Sequence, residues 1–495
     1  MEQCPNTESC LQIEACVGAK LAGGVGLGET KMFNVIEPNG NWLLGGPTTT
    51  ANAGQRFNAE NLHLSLVLNF IRTSGATTRQ DIENQSGLGR AIVMDRLSML
   101  TKLGLVVEGE FAPSTGGRAA RQIRFNEAAG LVLLASIDDS SIGVAAADLS
   151  GHLLLEHHES ASAGEGPNVI LRRLITLFEW MLELEQPRRE VWGIGIAVSG
   201  RVETPSGQPF GSPKFDSMPG WADYPLVEEL AARYGVPVWV SGATQMKTLG
   251  EQRTGSGAGV QNMIYVDLAR EITAGLISQG HLHTGAQGGA GMIGHFLTYE
   301  NNTTPCSCGK VGCLETAAGS DAIAREATRA AHNGQSRLLA EIVATSGKPT
   351  PADVGAAAQR GDSVSAEIMA RSGRLVGAAL AELANVFNPS LIVLAGSVAQ
   401  ASDIILATIR EEVYRRSHPL VTRDLIIVRS QISDSAALSG SAISVIDELF
   451  SMVPLSFWIA HGAPMRHPGN AEIIRKLREA FAVHDNRPRP PVAII

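Results

Sequence analysis

The sequence lacks a hydrophobic run that could cross a bilayer, because no stretch approaches the roughly 20 apolar residues that a spanning helix needs. Its first residues, MEQCPNTESC, also lack the basic start and apolar stretch of a secretory signal. We therefore expect a cytoplasmic protein without a membrane partner. The length of 495 residues exceeds what one compact core accommodates and predicts two or three folding units.

An excess of positive charge is missing as well, since the formal net charge is -9. The charge is nevertheless unevenly distributed. Between Arg72 and Arg124 there are eight basic and five acidic residues, so this segment carries +3 and the rest of the chain -12. A basic segment in an acidic chain is typical of a local nucleic-acid-binding module.

Cysteine is scarce, and the six cysteines fall into two groups. Cys4, Cys10 and Cys16 lie in a leader, residues 1–55, which we interpret as flexible; metal or redox chemistry of these thiols is the alternative. The other three cysteines lie within eight residues of one another, from Cys306 to Cys313. In a cytoplasmic protein this spacing favours a metal site over disulfides.

Residues 56–127 are predicted to form a winged helix-turn-helix, an α+β unit. Apolar residues at helical spacing indicate a first helix, Thr78 and Asp81 have the spacing of a capping box for a second, and a third runs from Arg90 towards Gly104. Two extended runs around a Pro/Ser/Gly loop then predict a hairpin, or wing. Three helices followed by a wing is an architecture of DNA-binding proteins.

Residues 128–450 alternate short β-rich runs with helical segments, which predicts an α/β domain with parallel and antiparallel strands. Predicted strands are LVLLASI, SIGVAAADL, HLLLEHH, VWGIGIAV, VPVWVSG, NMIYVDL and LIVLAGS, and predicted helices are VILRRLITLFEWMLEL, LVEELAARYG and AEIMARSGRLVGAALAELANVF. Residues 451–495 are Pro-rich and irregular, and we expect a loosely ordered tail there.

A series of specific motifs runs from Phe57 to about Leu449. The most specific is a Gly-His followed by C-x-C-G-x-x-G-C-x-E, within GAGMIGHFLTYENNTTPCSCGKVGCLE; the others, in order, include GGR, GIGIAVSG, PGW, GVPVWV, LGE, GHLHTGAQGGAG and PSLIVLAGS. Together they resemble the ROK (repressor, ORF, kinase) family. The resemblance implies a two-lobed α/β domain of the actin and hexokinase type with sugar bound in the cleft, and the winged helix implies the regulator branch.

Four residues of the most specific motif suit a metal ion. His295, Cys306, Cys308 and Cys313 offer one imidazole and three thiolates, which fill a tetrahedral zinc shell and leave no position for a reactive water. We therefore expect one structural zinc per chain. The alternative is three buried thiols beside an unrelated histidine.

The positions that phosphorylate sugar in the kinases of this family are altered. The position of the catalytic aspartate is occupied by Ala243. The first phosphate loop, Asp-x-Gly-Gly-Thr in the kinases, corresponds to residues 136–140, where Asp138 and Asp139 would repel phosphate. The second, Gly-Thr-Gly in the kinases, reads Ala-Arg-Glu at 269–271. We expect no kinase activity.

The resemblance also gives the sugar-binding positions, which are Gly242, Ala243, Met292, His295 and Glu315. Only His295 and Glu315 keep a polar side chain. Because sugar hydroxyls need fixed hydrogen-bond partners, a typical hexose site is not expected. An altered effector site, for a sugar or sugar derivative, and the absence of any effector remain equal alternatives.

The candidate DNA contacts are outward positions of the third helix and of the wing, namely Arg90, Ala91, Met94, Asp95, Ser98, Arg118 and Arg121. Arg90 suits a phosphate or a guanine edge, and Arg118 at the wing tip suits a minor groove. Met94 and Asp95 depart from the small polar and basic residues usual in the family. Asp95 would be repelled by phosphate unless it meets a cytosine amino group or pairs with an arginine.

Three hypotheses follow. The first is a DNA-binding transcriptional regulator, which we expect to be a repressor. It would bind a promoter operator through its winged helix as a homodimer or tetramer. Its kinase-like domain would be catalytically inactive and would serve dimerisation and possible effector sensing. The second is a sugar kinase with residual activity, which Ala243 opposes. The third is a non-enzymatic scaffold whose winged helix serves protein contacts, which Met94, Asp95 and Met292 favour.

Overall fold

A computed structural model describes residues 59–74, 77–111, 120–138, 141–161, 163–199, 202, 221, 224–298, 302–432, 434–451 and 455. The predicted leader with Cys4, Cys10 and Cys16 lies outside these residues, as does nearly all of the predicted tail. Within the described part of the chain, no helix combines the length and the apolar character that crossing a membrane requires.

The N-terminal region, residues 59–125, contains three helices and a small sheet. Its elements are α1 Ala59–Ser74, β1 Thr77–Thr78, α2 Arg79–Ser86, α3 Arg90–Lys102, β2 Val106–Phe111 and β3 Arg121–Phe125. The predicted capping box is present: the Thr78 hydroxyl accepts from the Asp81 backbone at 3.3 Å, and the Thr78 backbone donates to the Asp81 carboxylate at 2.9 Å. The sheet has the antiparallel order β1-β3-β2, so β1 adds a strand that the sequence analysis did not predict.

The first five-stranded sheet has the order β6-β5-β4-β7-β8. Its strands are β4 Leu131–Ile137, β5 Ser141–Asp148, β6 Leu153–Ser160, β7 Val191–Val198 and β8 Val238–Gly242. β4, β7 and β8 are parallel, whereas β5 pairs antiparallel with β4 and β6. Helices α4 Pro167–Leu184 and α5 Leu226–Tyr234 contribute to the hydrophobic core on one face of this sheet.

The second sheet repeats this topology with the order β11-β10-β9-β12-β13. Its strands are β9 Met263–Leu268, β10 Ile272–Ser278, β11 His281–His283, β12 Leu391–Ala395 and β13 Ile426–Arg429. The helices of this half are α7 Leu314–Ala318, α8 Ser320–His332, α9 Arg337–Ser346, α10 Pro351–Gln359, α11 Ser363–Phe387, α12 Ser397–Ala401, α13 Asp403–Arg416 and α14 Pro419–Thr422. Two similar α/β halves are therefore present in the described chain.

Two helices, α6 Ala243–Thr254 and α15 Ala436–Leu449, pack against each other with their backbones in contact. A Cβ atom on Gly440 would lie 1.8 Å from the Met246 carbonyl oxygen, and one on Gly250 would lie 2.0 Å from that of Ala436. The two glycines therefore permit a crossing that no other residue would allow.

All seven predicted strands and the three helices predicted in residues 128–450 are present, with small differences at their ends. The sequence analysis did not predict β10, β11 or β13, nor α6, α15 and most helices of the second half. The domain boundaries at residues 127 and 450 stay predictions.

Candidate metal centre, cleft and nucleic-acid surface

The four predicted metal ligands come together in one place. His295 ends a 3-10 turn, Ile293–His295, and the three cysteines lie in the loop that leads into α7. The donor atoms of all four residues lie within 4.8 Å of one another. The Cys306 sulfur is 3.5 Å from His295 Nδ1, and the sulfurs of Cys308 and Cys313 are 3.7 Å apart.

These separations fit the edges of a small tetrahedron. With metal–sulfur bonds of about 2.3 Å and metal–nitrogen bonds of about 2.0–2.1 Å, ligand atoms around a tetrahedral zinc lie roughly 3.5–3.8 Å apart. The loop is held in this shape by its own backbone, since Cys306 N donates to the Lys310 carbonyl at 2.8 Å and Gly309 N to the Cys306 carbonyl at 3.0 Å. Gly309 and Gly312 adopt φ values of 82° and 84°, which favour glycine. The group could therefore hold a metal ion.

The thiols of this group differ in acidity. Burial, followed by the neighbouring thiols, raises the pKa of Cys313 to about 12. A backbone hydrogen bond from Lys310 lowers the pKa of Cys308. A bound cation favours thiolates, so a metal ion would offset the burial that keeps Cys313 protonated.

Of the predicted effector residues, His295 belongs to the metal group and Glu315 contacts it. His295 faces the cysteines, and the Cys306 thiol is 3.6 Å from the Glu315 carboxylate. Glu315 is in the first turn of α7. Gly242 is the N-cap of α6, and Met292 precedes the 3-10 turn. Neither has a side-chain hydrogen-bonding group for a sugar.

A cavity of about 290 Å³ opens between the two sheets, and most of the residues that line it have polar side chains. It contains the carboxylates of Asp138, Asp267 and Asp434 and the ammonium group of Lys247. Asp138 follows β4 and lies within the first predicted phosphate loop, whereas Asp267 lies in β9, two residues before the second loop. A larger cavity, of about 540 Å³, lies between α8 and α11 and includes none of the predicted site residues.

Lys247, carried by α6, links these carboxylates across the cleft. Its Nζ atom is 2.8 Å from Asp267 Oδ2 and 3.9 Å from Asp138 Oδ2. Burial by itself lowers the pKa of Lys247, but Asp267 and then Asp138 more than offset it, so the pKa lies above its usual value. The lysine is therefore charged at neutral pH, and the carboxyl groups of three aspartates share the cavity with it. Such a site disfavours phosphate. Asp139 and Ser140 lie outside the described residues.

On α3, the five predicted DNA contacts Arg90, Ala91, Met94, Asp95 and Ser98 are all exposed. The opposite face is buried through Val93, Leu97 and Leu100, as the helical spacing predicted. Asp95 Oδ2 lies 3.0 Å from Arg96 Nη1, and the Arg96 side chain is only 10% exposed. The charge of Asp95 is thus partly offset by an arginine of its own helix.

The wing residues differ from the prediction in one respect. Arg121 was predicted to be available for phosphate, but its guanidinium forms an ion pair with Glu108 and lies 5.3 Å from the centroid of the Phe111 ring. Glu108 also lies 3.4 Å from Arg79. Glu108, on the neighbouring strand β2, therefore offsets the charge of Arg121. Arg118 lies outside the described residues.

Sequence reasoning missed three charged residues of these sites: Lys247, Arg96 and Glu108. The signal for Lys247 was weak but present. It lies four residues after Ala243, in the segment that follows the predicted strand VPVWVSG, so helical spacing would place it one turn from the aligned catalytic position.

The matches to known proteins cover both the α/β halves and the sequence before them. Residues 138–448 match the model of the ROK family. The chain is 28% identical over 389 residues to the xylose repressor of Caldicellulosiruptor bescii, covering 78% of this chain and 96% of the relative. It is 29% identical over 402 residues to the DNA-binding transcriptional dual regulator NagC of Escherichia coli, covering 80% of this chain and 95% of the relative.

A crystal structure of a ROK family transcriptional regulator, described as a homolog of the E. coli MLC protein, has the same fold. It superimposes with a TM-score of 0.67 at 24% identity, over 81% of this chain and 99% of that chain. The two repeated sheets and the cleft between them thus define a two-lobed α/β protein of the kinase-like type. The chain belongs to the ROK family, and the predicted two-lobed α/β fold is confirmed.

The pair between Lys247 and Asp267 generates a prediction about stability. Asp267→Asn should lower the free energy of unfolding by about 3 kcal/mol, because it leaves a buried ammonium group without its nearest counter-charge. The double variant Lys247→Met/Asp267→Asn should recover most of that loss. The matched control is Asp321→Asn, which breaks an exposed pair with Lys348 and should cost less than about 1 kcal/mol. Urea unfolding measures the free energy of unfolding of all three variants. Equal losses in Asp267→Asn and Asp321→Asn would contradict this prediction.

Proposed function

We propose that this chain is a DNA-binding transcriptional regulator and that its N-terminal region is a winged helix-turn-helix. The observation that carries the proposal is the extent of the similarity to regulators. The 389 and 402 aligned residues exceed the 138–448 family segment, so the match continues into flanking sequence, and the chain spans nearly the whole of both relatives. Three helices and a three-stranded sheet before the family segment agree with this assignment.

The geometry of α3 supports its role as the recognition helix. Its buried face packs into the core of the N-terminal region, while Arg90 at the first turn and Ser98 two turns later face solvent. We assign Arg90 to a guanine edge or a phosphate and Ser98 to a phosphate, with Ala91, Met94 and Asp95 between them along the groove. Arg118 would enter a minor groove, and Arg121 would exchange Glu108 for a phosphate. The protein would act as a homodimer or tetramer on a promoter operator, as a repressor in the cytoplasm.

The α/β halves are proposed to have lost kinase activity. Ala243 is buried at the start of α6 and offers no base, and Lys247 with its carboxylates occupies the region between the two loops that would hold phosphates. A sugar or sugar derivative remains the proposed class of effector, given the sugar in the name of the xylose repressor. The proposed effector site is formed by four residues: Gly242, Met292, His295 and Glu315.

The metal group is proposed to hold one structural zinc per chain. Four soft or borderline ligands would fill a tetrahedral shell and leave no open coordination position, so the ion would supply stability to the loop and no chemistry. Glu315, against Cys306, would orient a ligand.

The variant Arg90→Ala tests whether α3 is the recognition helix. This variant should weaken binding to the operator by roughly 1–3 kcal/mol and relax preference at one base position, because a bidentate contact to a base edge is lost. Arg337→Ala is the matched control, since Arg337 is 91% exposed on α9 and its loss removes the same charge. Quantitative gel-shift titration at fixed salt measures both. Equal effects of the two variants would show that α3 does not read bases.

The zinc proposal is tested by metal analysis of the purified chain. We expect about one zinc per chain, and Cys308→Ser should lower both the zinc content and the melting temperature, because binding of a structural metal is coupled to folding. Ser307→Ala changes the adjacent residue without removing a ligand and should leave both unchanged. A wild-type chain that is folded, metal-free and insensitive to chelators would refute the assignment.

The loss of catalysis is tested by a coupled assay for ADP release with a panel of hexoses and N-acetylhexosamines. We expect no sugar-dependent turnover, since the base and both phosphate loops are altered. Turnover that disappears when Asp138 is replaced by Asn would contradict the proposal, because contaminating kinases would not respond to that change.

A further inference from the structure

The N-terminal region is joined to the α/β halves by more than the polypeptide chain. Leu68 and Ile71 of α1 belong to the same buried cluster as Ile446, Leu449 and Phe450 at the end of α15. Leu68, Ile71, Leu449 and Phe450 are fully buried. Apolar burial of this kind stabilises the contact but has little directional preference.

Directional contacts are concentrated at one point of this interface. Arg72 Nη2 donates to Asp447 Oδ1 at 2.7 Å, and the Arg72 side chain is only 17% exposed. The same guanidinium lies 5.5 Å from the centroid of the Phe450 ring. Phe125, the last residue of β3, meets that ring edge-on, with centroids 5.4 Å apart and planes at 87°. A planar guanidinium held by a carboxylate and an aromatic face has few permitted orientations.

Arg72 lies in the last turn of α1, and α1 is packed against α3. Val93, Leu97 and Leu100 of α3 belong to the same buried cluster as α1. The angle at which α1 meets α15 therefore determines the direction in which α3 points. In a dimer on DNA, two such helices must meet grooves about 34–36 Å apart, so a small rotation of each changes the spacing that fits.

We propose that Arg72 and Asp447 are positioning residues, whose ion pair, stacked on Phe450, fixes α3 relative to the α/β halves and so sets the half-site spacing that the protein accepts. This inference rests on the proposed function, because it requires two copies of the chain bound to paired half-sites. It assigns no base contact to Arg72. The predicted effect is on spacing preference and not on base preference.

The test uses the full-length protein and synthetic duplexes in which the same two half-sites are separated by every spacing over one helical turn. Wild-type protein should prefer one spacing. In Arg72→Ala the ratio between the affinities for the best and the worst spacing should fall at least ~5-fold, as expected when a coupling contact is lost. Base preference within each half-site should not change. Asp447 is 47% exposed, so Asp447→Asn should keep the fold and give the same flattening.

Two further variants separate positioning from stability and charge. Arg79→Ala removes the same charge and an ion pair to Glu108 within the N-terminal region. It should change affinity by one common factor at every spacing. The exchange Arg72→Asp/Asp447→Arg should restore part of the spacing preference, which a mere loss of stability would not allow.

A spacing profile in Arg72→Ala and Asp447→Asn that keeps its wild-type shape would overturn the inference, even if affinity falls at every spacing. Wild-type protein that binds DNA with no spacing preference would also overturn it, while leaving DNA binding intact. Protein that binds no DNA at all would instead remove the proposed function and the inference together.

Discussion

The contact between the backbones of α6 and α15 is the constraint on which the arrangement of the molecule depends. A side chain on Gly250 or Gly440 would collide with a carbonyl oxygen of the other helix, so the close packing of the two helices requires glycine at both positions. α6 begins beside the first sheet and carries Lys247 into the cleft. The start of α15 lies at the same cavity, and its end touches the N-terminal region. The cleft and the proposed DNA-binding surface are thereby attached to one rigid pair of helices.

The charges in the cleft support the proposed loss of kinase activity. Two sheets of the same topology present Asp138 and Asp267 towards a cavity. A nucleotide would need backbone amides and flexible glycines there, and would bring several negative charges. The cation that links the two halves is instead the ammonium group of the buried side chain of Lys247, which contacts Asp138 and Asp267. A kinase-like fold with this charge arrangement agrees with the proposed regulatory role, because one fold can serve several functions.

Local sequence signals predicted local structure well. The capping box at Thr78 and Asp81, the buried face of α3, the apolar strands of both sheets and the four metal ligands are encoded within short segments, because caps, periodicity and ligand spacing are properties of neighbours in sequence. The strands β10, β11 and β13 were missed. β11 and β13 have only three and four residues, and β10 has seven but contains Gly275; each of the three pairs with β9, β10 or β12.

The charged contacts were less predictable, because the partners come from different elements. Asp138 is more than 100 residues from Lys247 in sequence, and Arg72 is 375 residues from Asp447. Composition showed that residues 72–124 carry a positive excess, but not that Arg121 is paired with Glu108 or that Asp95 is paired with Arg96. Which arginines are free for DNA is a property of the folded surface.

The central claim, that the chain is a sequence-specific DNA-binding regulator, is tested most directly by selection of fragments from genomic DNA with the purified full-length protein, followed by sequencing. The account predicts enrichment of a small number of fragments near promoters, which share a palindromic or repeated motif with half-sites about one helical turn apart. Recovery of fragments without a shared motif, at the frequency of the input DNA, would contradict it and would favour a scaffold role for the N-terminal region.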